Sequence, residues 1–207
     1  MEDVSPTRTE LLTKKSQIRL ARQGAGLLRG KREALVREFL EEIKSFRSDR
    51  EEMLKALNEA AQSLMQALAL DGQESVRSVG LATRNAVEVE LKEQNIWGTK
   101  VVDVETEYRP RMLTERDYSP LSTSSRINDS VDKFETAVER IIRVAPRFHK
   151  LGRLAEEIRK TSRRVNALEQ RLLPSLEQQV SYIQTVLEQR EREDIFRLKR
   201  IKRSKSM

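Results

Sequence analysis

From Leu11 to about Ala69, apolar and small residues recur at spacings built from three and four, along a stripe that includes Leu11, Ile18, Ala21, Ala25, Leu28, Leu35, Phe39, Ile43, Leu57, Leu64 and Ala67. Charged residues fill the positions between them and proline is absent, so the spacing predicts one long amphipathic helix. The step from Leu35 to Phe39 to Ile43 adds an extra four-residue spacing, a stutter that relaxes left-handed supercoiling. Ser5 is the expected N-cap, with Pro6 in the first turn. Gly24, Gly26 and Gly30 each weaken the helix by up to about 1 kcal/mol relative to alanine, which suggests close packing at those positions.

A second stripe follows the Ser/Thr-rich stretch around Ser122: Val131, Phe134, Val138, Ile141, Phe148, Leu151, Val165, Leu168, Leu172, Leu176, Val180, Ile183 and Leu187, continuing to Ile201. This predicts a second long helix, with local disturbance at Pro146 and Pro174, each of which removes a backbone hydrogen bond. Between the two, residues 85 to 92 and 102 to 108 alternate apolar and charged positions around a link at Gln94-Asn-Ile-Trp-Gly98, the pattern of a β-hairpin. Residues 109 to 126 read as loop. The expected organisation is an N-terminal helix over residues 1–70, a connecting lobe over 71–126, and a C-terminal helix with a basic tail over 127–207.

Neither stripe is wide enough for all-round burial, so each helix needs a partner, and the nearest is the other helix of the same chain. At about 1.5 Å per residue the two would span roughly 90 to 110 Å. Folding the chain about its middle predicts antiparallel neighbours whose residue numbers add to about 205 to 210, placing Leu28 near Val180 and Leu57 near Phe148. The fold class is mainly α: a long antiparallel two-helix coiled-coil hairpin with a small β-hairpin lobe between the helices. Composition agrees, since 35% charged and only 4% aromatic residues leave material for a narrow core rather than a wide one.

The net charge of +7 is unevenly distributed. Residues 8 to 37 carry nine Lys/Arg against two Glu, residues 190 to 205 carry eight against three acids, and residues 86 to 107 are net acidic by four. An antiparallel hairpin brings both basic clusters to one end. Three readings of that end stay open on charge alone: a solvated helix face, a docking surface for an acidic or polar protein, and a nucleic-acid contact. Without interleaved aromatics, the third is the weakest.

Catalytic patterns are missing. There is no cysteine and a single histidine, His149, which beside Phe148 on a charged helix reads as a surface residue. No phosphate-binding G-x-x-x-x-G-K-[ST] occurs, and Gly24-Ala-Gly26 sits inside a helical pattern. The expectation is a non-enzyme with no catalytic, cofactor-binding or metal-binding residues and no cofactor. With no 18-residue apolar run and no apolar leader, a soluble protein of the cytoplasm is expected. Trp97, at the hairpin link, is either packed on the helices or a partner contact.

Five segments in order resemble the D subunit of archaeal and vacuolar rotary ATPases: Val4-Ser-Pro-Thr-Arg-Thr-Glu-Leu-Leu12, Leu27-Leu-Arg-Gly-Lys-Arg-Glu-Ala-Leu35, Asn95-Ile-Trp-Gly98, Arg163-Arg-Val-Asn-Ala-Leu-Glu169 with Pro174, and Phe196-Arg-Leu-Lys-Arg-Ile-Lys202. The resemblance implies a central rotor stalk of an A-/V-type ATPase that couples ATP synthesis or hydrolysis to proton or sodium transport. It implies as partners the catalytic and regulatory subunits of the ATPase ring, the small F subunit of the stalk, and a funnel-like subunit connecting to the membrane rotor. It also implies a peripheral place on the cytoplasmic face of the membrane, without nucleic acid or transmembrane insertion. The alternative is a non-rotary coiled-coil adaptor whose basic end binds nucleic acid or acidic membrane.

Overall fold

The computed structural model describes residues 5–82, 89–104, 108, 111 and 115–205, with side chains as far as Lys202. In chain order the elements are α1 (Arg8–Asp71), α2 (Gln73–Ala82), β1 (Leu91–Ile96), β2 (Thr99–Val104), α3 (Ser125–Ala167), a π-helical turn (Leu168–Leu172) and α4 (Leu173–Lys205). The fold is mainly α, with long N- and C-terminal helical stretches paired antiparallel and a two-stranded sheet between them in the chain. It divides into two units: Met1–Ala34 with Ile158–Met207, and Leu35–Glu157.

The cap of α1 lies two residues beyond the expected Ser5. The Thr7 Oγ1 accepts the Glu10 N–H at 3.2 Å, and the Thr7 carbonyl accepts the Leu11 N–H at 3.0 Å. Thr7 followed three residues later by Glu10 has the capping-box spacing, and Pro6 stays outside the helix. At the other end Gly72 takes φ +82°, the left-handed conformation that stops a helix and that glycine adopts without steric cost.

In the first unit α1 presents small residues, Ala21, Ala25 and Ala34, opposite a seam of Val165, Leu176 and Ile183, all buried. Ion pairs stitch the rims: Arg8–Glu191 at 2.6 Å, Arg22–Glu177 at 2.7 Å, and Arg29–Glu169. The residue numbers of these partners add to 198 or 199, not 205 to 210, so Val180 stands level with Arg19 rather than Leu28. In the second unit Phe148 meets the ring of Phe46, centroids 6.1 Å apart, rather than Leu57. The offset has a simple origin. The expected register was centred on the middle of the chain, whereas the helices turn round earlier, between Asp71 and Ser125, where the Arg126 guanidinium donates to both carboxylate oxygens of Asp71 at 2.8 and 3.1 Å.

Two features of the second unit depart from the expected lobe. A ten-residue helix, α2, occupies part of the expected connection, and its Val79 closes a core with Ala67 of α1 and Ile127 of α3, flanked by Val76, Tyr118 and Val131. The hairpin is also tighter than expected. Leu91 pairs with Val104 and Ile96 with Thr99, leaving only Trp97-Gly98 as the turn, with φ +52° and +80°. Positive φ at both central residues gives a two-residue turn the twist that suits a hairpin. Residues 85 to 88 and 105 to 107, expected to extend the strands, lie outside the described residues.

The prolines act differently from each other. Helix α3 runs through Pro146 without a break. Pro174 lies inside a helix that continues on both sides, one residue beyond Leu173, the C-cap of the π turn Leu168–Leu172, so the irregularity sits where proline removes a backbone bond.

Candidate functional site

The described features that stand out are charged and apolar helix faces. Among the described residues no group of three or more metal-ligating side chains occurs, and no helix is long and apolar enough to cross a membrane.

The first unit holds 21 Lys/Arg against 10 Asp/Glu, a net +11, and the second is net −4. Both basic clusters of the sequence therefore fall largely within one unit. Residues 188 to 202 of α4 are all exposed, and apolar Ile195, Phe196 (70% exposed) and Leu198 are interspersed there with Arg197, Lys199 and Arg200. On α1, Leu12, Leu20 and Leu27 (79% exposed) recur at eight and seven residues and form a second apolar line, away from the Ala21–Ala25 seam. Exposed leucines in such a line mark a surface for a partner. The predicted core stripe does not include them, and their spacing of eight and seven does not by itself separate them from core.

The glycines of α1 do not serve close packing within the chain. A Cβ at Gly24, Gly26 or Gly30 would meet open space, which corrects the expectation. In the motif from Arg163 to Glu169, Val165 is buried in the seam, Glu169 accepts from Arg29, and Arg163 and Arg164 lie toward the surface. One motif thus combines core and surface roles.

In the second unit Trp97 stands 60% exposed at the hairpin turn, so it is not packed onto the helices. Between hairpin and α3, Val89, Leu91, Val102 and Val104 face Ile141, Ala145 and Pro146 across an apolar groove of about 420 Å³ with His149 at its edge. His149 is exposed, as expected for a surface residue.

The loop after the hairpin is anchored by charges that no sequence pattern marks. The Arg116 side chain, fully buried, donates to Asp132 and, at 3.2 Å, to the Tyr118 hydroxyl, which in turn donates to Asn128 Oδ1 at 2.9 Å. Glu135 accepts from the Arg111 backbone N–H at 2.8 Å and from its Nε at 3.2 Å. Burial disfavours the Arg116 charge, yet the bonds to Asp132 and Tyr118 outweigh it and raise its pKa. On α3, Lys150 bridges Glu42 at 2.5 Å and Glu38 at 3.0 Å. Burial pulls its pKa down, and the two carboxylates raise it overall.

Charged, antiparallel helical pairing with exposed apolar lines and a small β lobe places the chain among mainly α helical-hairpin proteins. A family model described as the D subunit of ATP synthase matches residues 10–203. The V-type ATP synthase D subunit of Thermus thermophilus is 42% identical over 202 residues, covering 98% of this chain and 89% of that protein. The A-type ATP synthase D subunits of Methanosarcina mazei and Pyrococcus horikoshii are each 38% identical, over 97% and 96% of this chain and 96% and 93% of theirs. The chain belongs to the ATP synthase D-subunit family.

Proposed function

We propose that this chain is the central-stalk rotor of an A-/V-type ATP synthase or ATPase, a non-catalytic shaft that couples ATP synthesis or hydrolysis to proton or sodium transport. The observation that carries the reading is the first unit. There a stitched helical pair ends in exposed Ile195, Phe196 and Leu198 among basic residues, a surface suited to a partially apolar, acidic-lined cavity. The ring of catalytic and regulatory subunits supplies that cavity in this reading, with the small F subunit and a funnel-like subunit as further partners on the cytoplasmic face of the membrane.

The helical pair is asymmetric, with alanines on one side of the seam and larger aliphatics on the other. Turning inside a ring, it presses unequally on successive subunits, and each site's conformational equilibrium shifts by the difference in contact energy. Family membership favours this over a non-rotary adaptor. The test is a reversible lock. Arg19 and Lys199 are both exposed, so Arg19→Cys or Lys199→Cys paired with a cysteine on the inner wall of the ring should stop sustained ATP hydrolysis on oxidation and release it on reduction. Steady hydrolysis with ion pumping by the locked complex would refute the rotor.

A further inference from the structure

Three independent observations in the first unit locate one surplus residue in the C-terminal helical strand. The first is burial. Thr161 and Val165 are buried and Leu168 is half-buried, at steps of four and three. Continuing that rhythm puts Leu172, Ser175, Gln179 and Tyr182 next on the seam. Leu172, Ser175 and Tyr182 are instead exposed, and the seam passes to Leu173, Leu176, Val180, Ile183 and Leu187, with the first four each one position later. The second is ion pairing. Glu169 and Glu177 are eight residues apart, while their partners Arg29 and Arg22 are seven apart; from there to Glu191 and Arg8 both strands advance by fourteen. The third is the backbone, where the Leu173 N–H donates to the Leu168 carbonyl, five residues back. Such a π turn takes in one more residue than an α turn.

We infer that Leu168–Leu172 is a register compensator: a built-in bulge that lets eight residues of the C-terminal strand pair with seven of α1, so that the seam and the ion pairs beyond it stay in phase. The side chains explain why the bulge is stable. An unbulged helix would bury Ser175 and Tyr182 where Leu176 and Ile183 now lie, exchanging aliphatic burial for stranded polar groups. Pro174 explains its position. A straight α-helix would already lack the bond from residue 174 to the Gln170 carbonyl, so the irregularity falls where a bond is lost in either case.

The inference rests on the helical pair itself and not on the rotor reading, so it is tested on the isolated full-length chain. Deleting Gln170 removes the surplus residue; inserting an alanine after Gln170 adds a second. In an ordinary α-helix both changes rotate all that follows by the same amount and do equal harm. Here the deletion is expected to keep the thermal midpoint at or above that of the parent, and the insertion to lower it by several degrees. In an Arg22→Cys/Glu177→Cys background, a short bis-maleimide should cross-link parent and deletion alike and the insertion at least tenfold less. A deletion variant that loses the cross-link, or is destabilised as much as the insertion, overturns the compensator, as does any outcome in which the two variants behave alike.

Discussion

The two units hold themselves together in different ways. The first is a repetitive seam, alanine against leucine, isoleucine or valine, with ion pairs at its rims whose side chains are a third to four-fifths exposed. The second concentrates its stability at a corner where α1, α2 and α3 meet and where the buried Arg116 ties down the loop. Distributed contacts make each rim charge dispensable, and concentrated contacts make single residues decisive. The first unit can therefore vary its exterior without losing its core, whereas the second cannot vary Arg116.

The contrast breaks most readily at Arg116. Arg116→Ala removes the donor to Asp132 and to the Tyr118 hydroxyl and empties a fully buried site, and should cost about 3 kcal/mol, the upper part of the range for hydrogen bonds to a charged group, read as a fall in the urea midpoint; a loss below about 1 kcal/mol would make the corner no more decisive than a rim. Ile183→Ala opens a cavity in the narrow seam and should cost about 2 to 3 kcal/mol, measured in the same way. Arg22→Ala removes only an exposed ion pair with Glu177 and should change stability by roughly 0.5 kcal/mol or less, an effect that fades further in salt.

The smallest effect concerns pH. The Arg126 hydrogen bonds hold the Asp71 carboxyl below its ordinary range, so this contact's contribution is complete above the unfolded aspartate's pKa and disappears as pH falls through the lowered folded value. Arg126→Gln should therefore lower stability slightly at neutral pH, where the contribution is present, and leave the two proteins alike once pH has fallen below the lowered value, so that the variant's acid limb is flatter; acid titration of both, followed by circular dichroism, will read the difference.

Helical periodicity made the long elements legible, because a stripe of about 50 residues or more leaves little choice of period. Shorter and polar features were hidden for physical reasons. Helix α2 buries Val79 and, in part, Val76 but leaves Leu81 exposed, follows Gly72 and contains Gly80, so its local signal is slight and its helix depends on the corner it closes. The fours from Leu168 through Leu172 and Leu176 to Val180 passed for one stripe, while the backbone absorbs a residue and turns Leu172 outward. Arg116 looks like any loop cation until the carboxylates of α3 are placed around it. The pairing register needed the position of the turnaround, which lies in residues of mixed pattern. Of the candidate surfaces, the basic clusters and Trp97 could be read directly; the Leu12, Leu20 and Leu27 line could not be separated from core without knowing which face was taken.

The left-handed turn at Trp97-Gly98 has an optical consequence. The chain has one tryptophan, and it projects from the hairpin into solvent, so ultraviolet emission from tryptophan in this protein comes from a single known spot. Contact at the hairpin tip would shift that emission to the blue and shield it from a soluble quencher, while binding confined to the first unit would leave it unchanged. The molecule carries its own lamp at the tip of its hairpin, and a partner's arrival there can be timed without attaching anything.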